Sequence, residues 1–151
     1  MTDFVKASQV FLDNHASSVE EALAFFARKA VELGLSDDEA AVLDALKARE
    51  AEGTTGMLSG FAIPHCKCSA IRDAAVMVVK FADGVSWDSM DGQPIKVAIA
   101  LLAPDGEVAT TFLRTLSQVA VMLMDESFRK KVLAADDEAA IAEIINSALD
   151  A

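Results

Sequence analysis

The sequence is poor in the features that several protein classes require. Its 151 residues include two cysteines, Cys66 and Cys68, and no apolar run near the roughly 18 residues of a membrane helix. A disulfide between such close cysteines would close a small and strained ring, so we expect free thiols. The first residues lack the basic start and long apolar stretch of a signal peptide. These absences predict a cytoplasmic protein without direct membrane insertion.

Basic side chains are also scarce, with 13 against 24 acidic ones and a formal net charge of −11. Nucleic-acid surfaces draw most of their affinity from a basic stripe, so nucleic-acid binding is not predicted. A solvated acidic exterior accounts for this charge, and a basic protein partner would fit it equally well.

Histidine is rare too, because the chain contains only His15 and His65. Structural zinc sites use about four ligands at wider spacing than the cluster of His65, Cys66 and Cys68 provides. His15 lies far upstream of that cluster. No metal site is therefore predicted.

Short apolar runs bounded by turn residues predict strands. They occur at Val10–Leu12, Met57–Ile63, Ala74–Ala82, Val85–Trp87 and Pro94–Ala103. Asp83-Gly84 and Asp91-Gly92 are predicted as the turns that flank the short arm at Val85–Trp87.

Apolar residues that recur at spacings of three and four predict helices. The predicted helices are residues 19–33 between Ser17-Ser18 and Gly34, a helix from a capping box of Ser36 and Glu39 to Arg49, residues 113–123, residues 126–133, and residues 141–148 after Asp136 or Asp137. The order of elements predicts a small mixed β-sheet sandwiched between α-helices, in a single α/β domain over residues 1–151.

His65 is the first candidate for chemistry. It follows Pro64 at the end of a predicted strand, so we expect it in a loop, where Pro64 limits the direction of the chain. A neutral imidazole is a competent nucleophile towards phosphorus or an acyl carbon. A surface histidine in a turn is an equally good interpretation of these residues alone.

The segment from Arg49 to Gly56 is the second candidate. The hydroxyls of Thr54 and Thr55 and the glycine amides can bond phosphate oxygens, and an arginine offers two parallel donors to an oxyanion. The segment lacks the Gly-Lys-Ser/Thr ending of a Walker loop. Taken alone, Arg49 also fits an ordinary residue at a helix C-terminus, where the helix dipole favours a cation.

Arg49-Glu50, Thr54-Thr55-Gly56 and Gly60-Phe61-Ala62-Ile63-Pro64-His65 occur in this order and spacing. The pattern closely resembles the signature of the enzyme IIA domains of the fructose–mannitol type, which belong to the bacterial sugar phosphotransferase system. The resemblance covers essentially the whole chain, with further matching stretches at Trp87, Asp91-Gly92, Ala103-Pro104 and Asp125-Glu126-Ser127-Phe128.

The resemblance implies a phosphoryl carrier. His65 would be the phosphorylated nucleophile, accepting a phosphoryl group from the phosphorylated histidine carrier protein HPr and passing it to a cysteine of an enzyme IIB partner. Arg49 would attract the phosphoryl oxygens, Thr54 or Thr55 would hydrogen-bond near the imidazole, and no cofactor would be needed. An associated membrane permease would hold the sugar specificity. Nitrogen-type relatives imply an alternative, a regulatory module that binds and controls other proteins according to His65 phosphorylation.

One departure from the family pattern concerns a second histidine, which usually opens the leucine-rich helix beside the phosphorylated one. Phe112 occupies that position here, and Thr110 or Thr111 could take its place as a donor. Phenylalanine cannot donate a hydrogen bond to a phosphoryl oxygen. We therefore expect the Phe112 ring to face His65, and Phe112→His to transfer phosphate about tenfold faster.

Overall fold

The computed structural model describes residues 4–106 and 109–150. Within them, five strands form a mixed sheet that helices cover on both faces, which confirms the predicted architecture. The strands are β1 (Val10–Asn14), β2 (Phe61–Ala62), β3 (His65–Lys67), β4 (Ala75–Val85) and β5 (Ile95–Ala103). The helices are α1 (Val19–Glu32), α2 (Glu39–Glu52), α3 (Ala109–Leu123), α4 (Glu126–Ala134) and α5 (Glu138–Asp150). None of these helices combines the length and hydropathy needed to cross a bilayer.

The sheet places the short strands β2 and β3 together at one edge. Its order is β1-β4-β5-β2, and β3 also pairs with β5. β1 runs parallel to β4, β4 runs antiparallel to β5, and β2 and β3 run parallel to β5. Because His65 is paired with Leu101, it lies at the sheet edge near the C-terminal end of β5.

Two hydrophobic cores lie on opposite faces of the sheet. Along β4, Val76 and Val78 pack with α3, α4 and α5, whereas Met77 and Val79 pack with α1 and α2. β5 alternates in the same way, so both of its faces are buried. Successive strand residues point to opposite faces, and burial on both sides therefore explains the nearly continuous apolar runs that predicted β4 and β5.

The start of α2 differs from the prediction. Its N-cap is Asp38, whose carboxylate accepts a hydrogen bond of 3.1 Å from the backbone N–H of Ala41. The predicted capping box of Ser36 and Glu39 is wrong, because the hydroxyl of Ser36 is buried and accepts from the N–H of Asp38 at 3.0 Å. A carboxylate two residues nearer the helix is a better cap than a hydroxyl already used in the preceding turn.

The predicted turn at Asp83-Gly84 is also wrong, because β4 continues through it to Val85, which pairs with Ile95. The glycine serves close packing instead, since a Cβ atom on Gly84 would lie 2.8 Å from the Cβ of Pro94. The chain reverses later, between residues 86 and 94, where Gly92 has a φ of 75° at the predicted second turn. The short arm at Val85–Trp87 is therefore the end of β4 and the start of this connection.

The segment predicted as one strand, Met57–Ile63, forms only the two-residue strand β2. Pro64 has no N–H, but its carbonyl accepts a hydrogen bond of 3.0 Å from the N–H of Leu101, so pairing with β5 resumes directly after it. His65 is consequently the first residue of β3, and the prediction that it lies in a loop is wrong.

Candidate functional site

The strand β3 divides its side chains between the two faces of the sheet. Cys66 and Cys68 belong to the core shared with α1 and α2. The His65 ring and the Lys67 ammonium instead lie against the ring of Phe112, in the first turn of α3. This alternation presents the imidazole at the sheet edge, between the last turn of α2 and the start of α3.

Both ring nitrogens of His65 have defined partners. Nδ1 lies 2.8 Å from the carbonyl oxygen of Ile63, which can only accept, so Nδ1 carries the proton. Nε2 accepts a hydrogen bond of 3.0 Å from Nε of Arg49, which always carries its hydrogens. The geometry thus selects the neutral tautomer with its free electron pair on Nε2.

The surroundings of His65 also favour the neutral ring. Burial lowers the pKa of His65 below its ordinary value, and the positive charge of Arg49 lowers it further. The hydrogen bond to the Ile63 carbonyl and the charges of Glu50 and Glu52 oppose this shift without cancelling it. At neutral pH the imidazole is therefore unprotonated and able to act as a nucleophile.

Arg49 is held in place by two contacts. It lies in the last turn of α2, where its Nη1 donates a hydrogen bond of 2.8 Å to the carbonyl oxygen of Gly53, while its Nε donates to His65. Arg49 as a whole residue is half-buried. The structure thus brings together the two residues that the sequence singled out, in a geometry that aims a fixed positive charge at Nε2.

Glu50 is a site residue that the sequence reasoning missed. One of its oxygens accepts from the backbone N–H of Thr55 at 2.8 Å and from Nε1 of Trp87 at 3.1 Å. The other accepts from the Thr55 hydroxyl at 2.6 Å. The signal in the sequence was Trp87 itself, because a buried indole N–H needs an acceptor. Glu50 ties the end of α2 to the segment that precedes β2 and to the connection between β4 and β5.

The two threonines predicted near the imidazole have other partners in the structure. Thr54 donates its hydroxyl hydrogen to the carbonyl oxygen of Asp88 at 2.6 Å, and Thr55 donates to Glu50. The Thr55 carbonyl accepts from the N–H of Ile63 at 3.0 Å, so this segment borders the site. Direct phosphoryl binding by Thr54 or Thr55 stays a prediction.

The segment around Gly56 packs tightly against the connection between β4 and β5. A Cβ atom on Gly56 would lie 2.0 Å from the carbonyl oxygen of Asp88, a separation that no side chain allows. The N–H of Met90 also donates to the carbonyl of Met57 at 3.2 Å. Only glycine fits at position 56, and the close approach fixes the loop that carries Thr54 and Thr55.

Phe112 lies beside His65, with 6.0 Å between the ring centroids and 53° between the ring planes. It is buried, and the ammonium nitrogen of Lys67 lies 5.8 Å from the centroid of its ring. The position expected to hold a second imidazole therefore borders His65, as the sequence indicated. Of the two threonines considered as donors there, Thr111 is exposed, and the side chain of Thr110 lies outside the described residues.

A protein-family model described as "Phosphoenolpyruvate-dependent sugar phosphotransferase system, EIIA 2" matches residues 3–148. The chain belongs to this family. The resemblance drawn from the pattern between Arg49 and His65 is thereby confirmed.

Two relatives and one structure that matches in fold show how far the likeness extends along the chain. The PTS system fructose-specific EIIA component of Haloferax volcanii is 35% identical over 138 residues, which cover 90% of this chain and 88% of that protein. The crystal structure of Nitrogen Regulatory Protein IIA-Ntr from Neisseria meningitidis matches with a TM-score of 0.85 at 26% identity, over 97% of this chain and 96% of that one. A complex of enzyme IIAMTL and phosphorylated enzyme IIBMTL from Escherichia coli matches in fold, with a TM-score of 0.78 at 19% identity, over 95% and 97% of the respective chains.

The remaining histidine and the cysteines of this EIIA family member lie apart from the site. His15 is exposed and its Nε2 lies 3.6 Å from the carboxylate of Asp13. Cys66 and Cys68 are buried, and burial raises the pKa of the Cys66 thiol to about 12. Among the side chains that the structure describes, no cluster of three or more histidine, cysteine or acidic residues is arranged to hold a metal ion.

Proposed function

We propose that this chain is a phosphoryl carrier of a sugar phosphotransferase system, phosphorylated on Nε2 of His65. The observation that carries the proposal is the pair of hydrogen bonds on the imidazole. They place the proton on Nδ1 and direct the electron pair of Nε2 towards Arg49. Membership of the EIIA family supports the same chemistry.

In the first step, the donor is the phosphohistidine of HPr. The electron pair of His65 Nε2 forms a new N–P bond as the N–P bond of the donor breaks. The electron pair of the broken bond stays on the donor imidazole, which leaves as a neutral ring because its other nitrogen carries a proton. His65 keeps its Nδ1 proton, so its ring becomes positive. The hydrogen bond from Nδ1 to the Ile63 carbonyl then stabilises that charge.

In the second step, the acceptor is a cysteine thiolate of an enzyme IIB. The sulfur forms an S–P bond, the N–P bond of His65 breaks, and its electron pair returns to Nε2, which restores the neutral ring. The fold likeness to enzyme IIAMTL, whose structure contains phosphorylated enzyme IIBMTL, supports this class of partner. By the same proposal, the protein works in the cytoplasm, and an associated membrane permease holds the sugar specificity.

Arg49 would follow the phosphoryl group. Once Nε2 bears phosphorus, it can no longer accept a hydrogen bond, so Nε of Arg49 loses its present partner. The phosphoryl oxygens then offer new acceptors next to the guanidinium, while its Nη1 is already anchored on Gly53. Charge-assisted hydrogen bonds of this kind contribute about 1.5–3 kcal/mol each.

A regulatory role is the second candidate. It is favoured by the likeness to Nitrogen Regulatory Protein IIA-Ntr from Neisseria meningitidis and by Phe112 in place of a second imidazole. In that role, the phosphorylation of His65 would control the binding of another protein instead of feeding an enzyme IIB.

The deciding experiment is incubation with enzyme I, HPr and labelled phosphoenolpyruvate, followed by addition of an enzyme IIB. We expect one acid-labile, base-stable phosphoryl group, lost in His65→Gln and retained in the exposed control His15→Gln. Release of the label to the enzyme IIB cysteine supports the transport carrier. A stable label that no enzyme IIB discharges supports the regulatory role, and undiminished labelling of His65→Gln would overturn the assignment of His65.

A further inference from the structure

The strand β3 brings a second cation to the same side as His65. Lys67 lies two residues after His65, so both side chains leave the strand on the same face. Its ammonium nitrogen lies 5.8 Å from the centroid of Phe112, and the centroid of the His65 ring lies 6.0 Å from that same point. The Phe112 ring thus has the nucleophile and a lysine as its neighbours.

The ammonium of Lys67 is weakly held in this position. Among the residues whose side chains the structure describes, no carboxylate lies within ion-pairing distance of it, and its partner is the face of an aromatic ring. The attraction of a partly solvated ammonium to phenylalanine is small. A doubly charged phosphoryl group is a far stronger partner, and the flexible four-carbon stem of lysine lets the ammonium move towards it.

We propose that Lys67 binds the phosphoryl group on His65 as a second cation beside Arg49. This inference rests on the proposed phosphorylation of His65. Arg49 reaches Nε2 from the end of α2, whereas Lys67 comes from the strand itself, so the two cations contact different phosphoryl oxygens. No covalent bond to Lys67 forms or breaks. Its ammonium donates a hydrogen bond to the phosphoryl oxygen that would otherwise accept one from a second imidazole.

Phe112 fits this arrangement because it supports Lys67. Its ring cannot donate to an oxygen, but its electron-rich face attracts an ammonium and keeps it next to His65. Lys67 on the strand β3 would therefore supply the hydrogen-bond donor that phenylalanine at position 112 lacks.

The first test compares Lys67→Met and Lys67→Arg with the control Lys96→Met. Lys96 is exposed on β5, five residues before Leu101 and so roughly 16 Å along the strand from the site. We expect Lys67→Met to be phosphorylated by phospho-HPr about tenfold to a hundredfold more slowly, the usual loss for one charge-assisted hydrogen bond. Lys67→Arg should recover most of the rate, and Lys96→Met should match the wild type.

A second readout reports the charge at the phosphoryl group itself. In phosphorus NMR titrations of phosphorylated protein, Lys67→Met should raise the pKa of the second phosphoryl ionisation, because the dianion has lost a cation. A merely structural role for Lys67 would leave this titration unchanged.

The third test uses Phe112→His in two backgrounds. If Lys67 donates a hydrogen bond to the phosphoryl oxygen, adding Phe112→His to the Lys67→Met variant should accelerate transfer about tenfold. The same change in a protein that keeps Lys67 should accelerate it much less. A full tenfold gain with Lys67 present, the result expected from the sequence if nothing replaces the missing donor, would overturn the inference.

The outcomes separate this inference from the proposed function. If the wild type acquires no label on His65, the proposed function fails and the role of Lys67 fails with it. If the wild type is labelled and Lys67→Met shows the same rate and the same phosphorus titration, only the role of Lys67 is overturned.

Discussion

Arg49 donates a hydrogen bond from Nε to Nε2 of His65 at 3.0 Å, so a permanent cation approaches a side chain that would itself become a cation on protonation. The contact is compatible only with a neutral imidazole, because a protonated Nε2 would present a hydrogen to a donor. It fixes the direction of the free electron pair on Nε2. The same contact leads directly to two predictions.

The first prediction concerns pH. Since burial lowers the pKa of His65, the ring should titrate below the ordinary value of about 6.5, and labelling from phospho-HPr should stay fast until the pH falls through that lower pKa. Between the two pKa values the unfolded chain binds more protons than the folded one. The contribution of His65 to the unfolding free energy is therefore complete above about pH 6.5 and decreases as the pH falls below that value. NMR titration of the His15→Gln protein isolates the His65 ring. A midpoint at or above the ordinary value would contradict this prediction.

The second prediction concerns Arg49. Arg49→Ala removes a cation that lowers the pKa of His65, so that pKa should rise in the variant. It also removes the donor expected to meet the phosphoryl oxygens, which should slow transfer about tenfold to a hundredfold. Stopped-flow or quench labelling measures the rate, and thermal unfolding checks that the fold survives. Unchanged kinetics would leave Arg49 as a residue of the helix end alone.

The third prediction concerns Glu50. The carboxylate of Glu50 accepts three hydrogen bonds. In Glu50→Gln an amide NH2 replaces one of the two oxygens, so this donor must face a donor of Thr55 or Trp87. We expect the unfolding free energy to fall by roughly 1–3 kcal/mol, with a red shift in the emission of Trp87, the single tryptophan. The exposed neighbour Glu52→Gln is the matched control. Equal stability and equal emission in the two variants would show that the network around Glu50 does not order the site.

The fourth prediction concerns Cys66. With a pKa of about 12, its thiol should be almost fully protonated at about pH 8 and react very slowly with a chromogenic disulfide reagent. Cys68→Ala isolates this thiol, and denaturant should release its full reactivity. Rapid stoichiometric reaction of the folded Cys68→Ala protein would contradict the burial of Cys66.

The sheet and its helices could be predicted because β4 and β5 are apolar on both faces and the helices carry clear spacing signals. The local errors have specific causes. Gly84 indicated a turn, but it accommodates Pro94, and Pro64 indicated the end of a strand, but its carbonyl carries the pairing with β5 onward. A single sequence does not reveal which neighbour a glycine or proline will meet.

The site could be predicted where its members lie in one stretch, and at Phe112, which the family resemblance placed beside His65. Arg49 and His65 belong to the same short motif, and their meeting follows from it. Glu50 acquires its role from Trp87, a residue 37 positions away, and Lys67, on the strand β3, acquires its role from Phe112 on α3. Such contacts depend on the packing of α2 and α3 against the sheet edge, which no local pattern specifies.

The alternation along β3 has a consequence for the fidelity of transfer. His65 is followed at once by a thiol, and sulfur is the atom to which an enzyme IIB would receive the phosphoryl group. Because Cys66 and Cys68 lie on the other side of the strand, buried in the core with α1 and α2, neither could intercept a phosphoryl group carried by His65. The high pKa of Cys66 adds a chemical barrier to this geometric one. In the proposed function, the strand β3 would thus separate a phosphoryl group on His65 from the nearest thiols, and its discharge would require a thiolate on another protein.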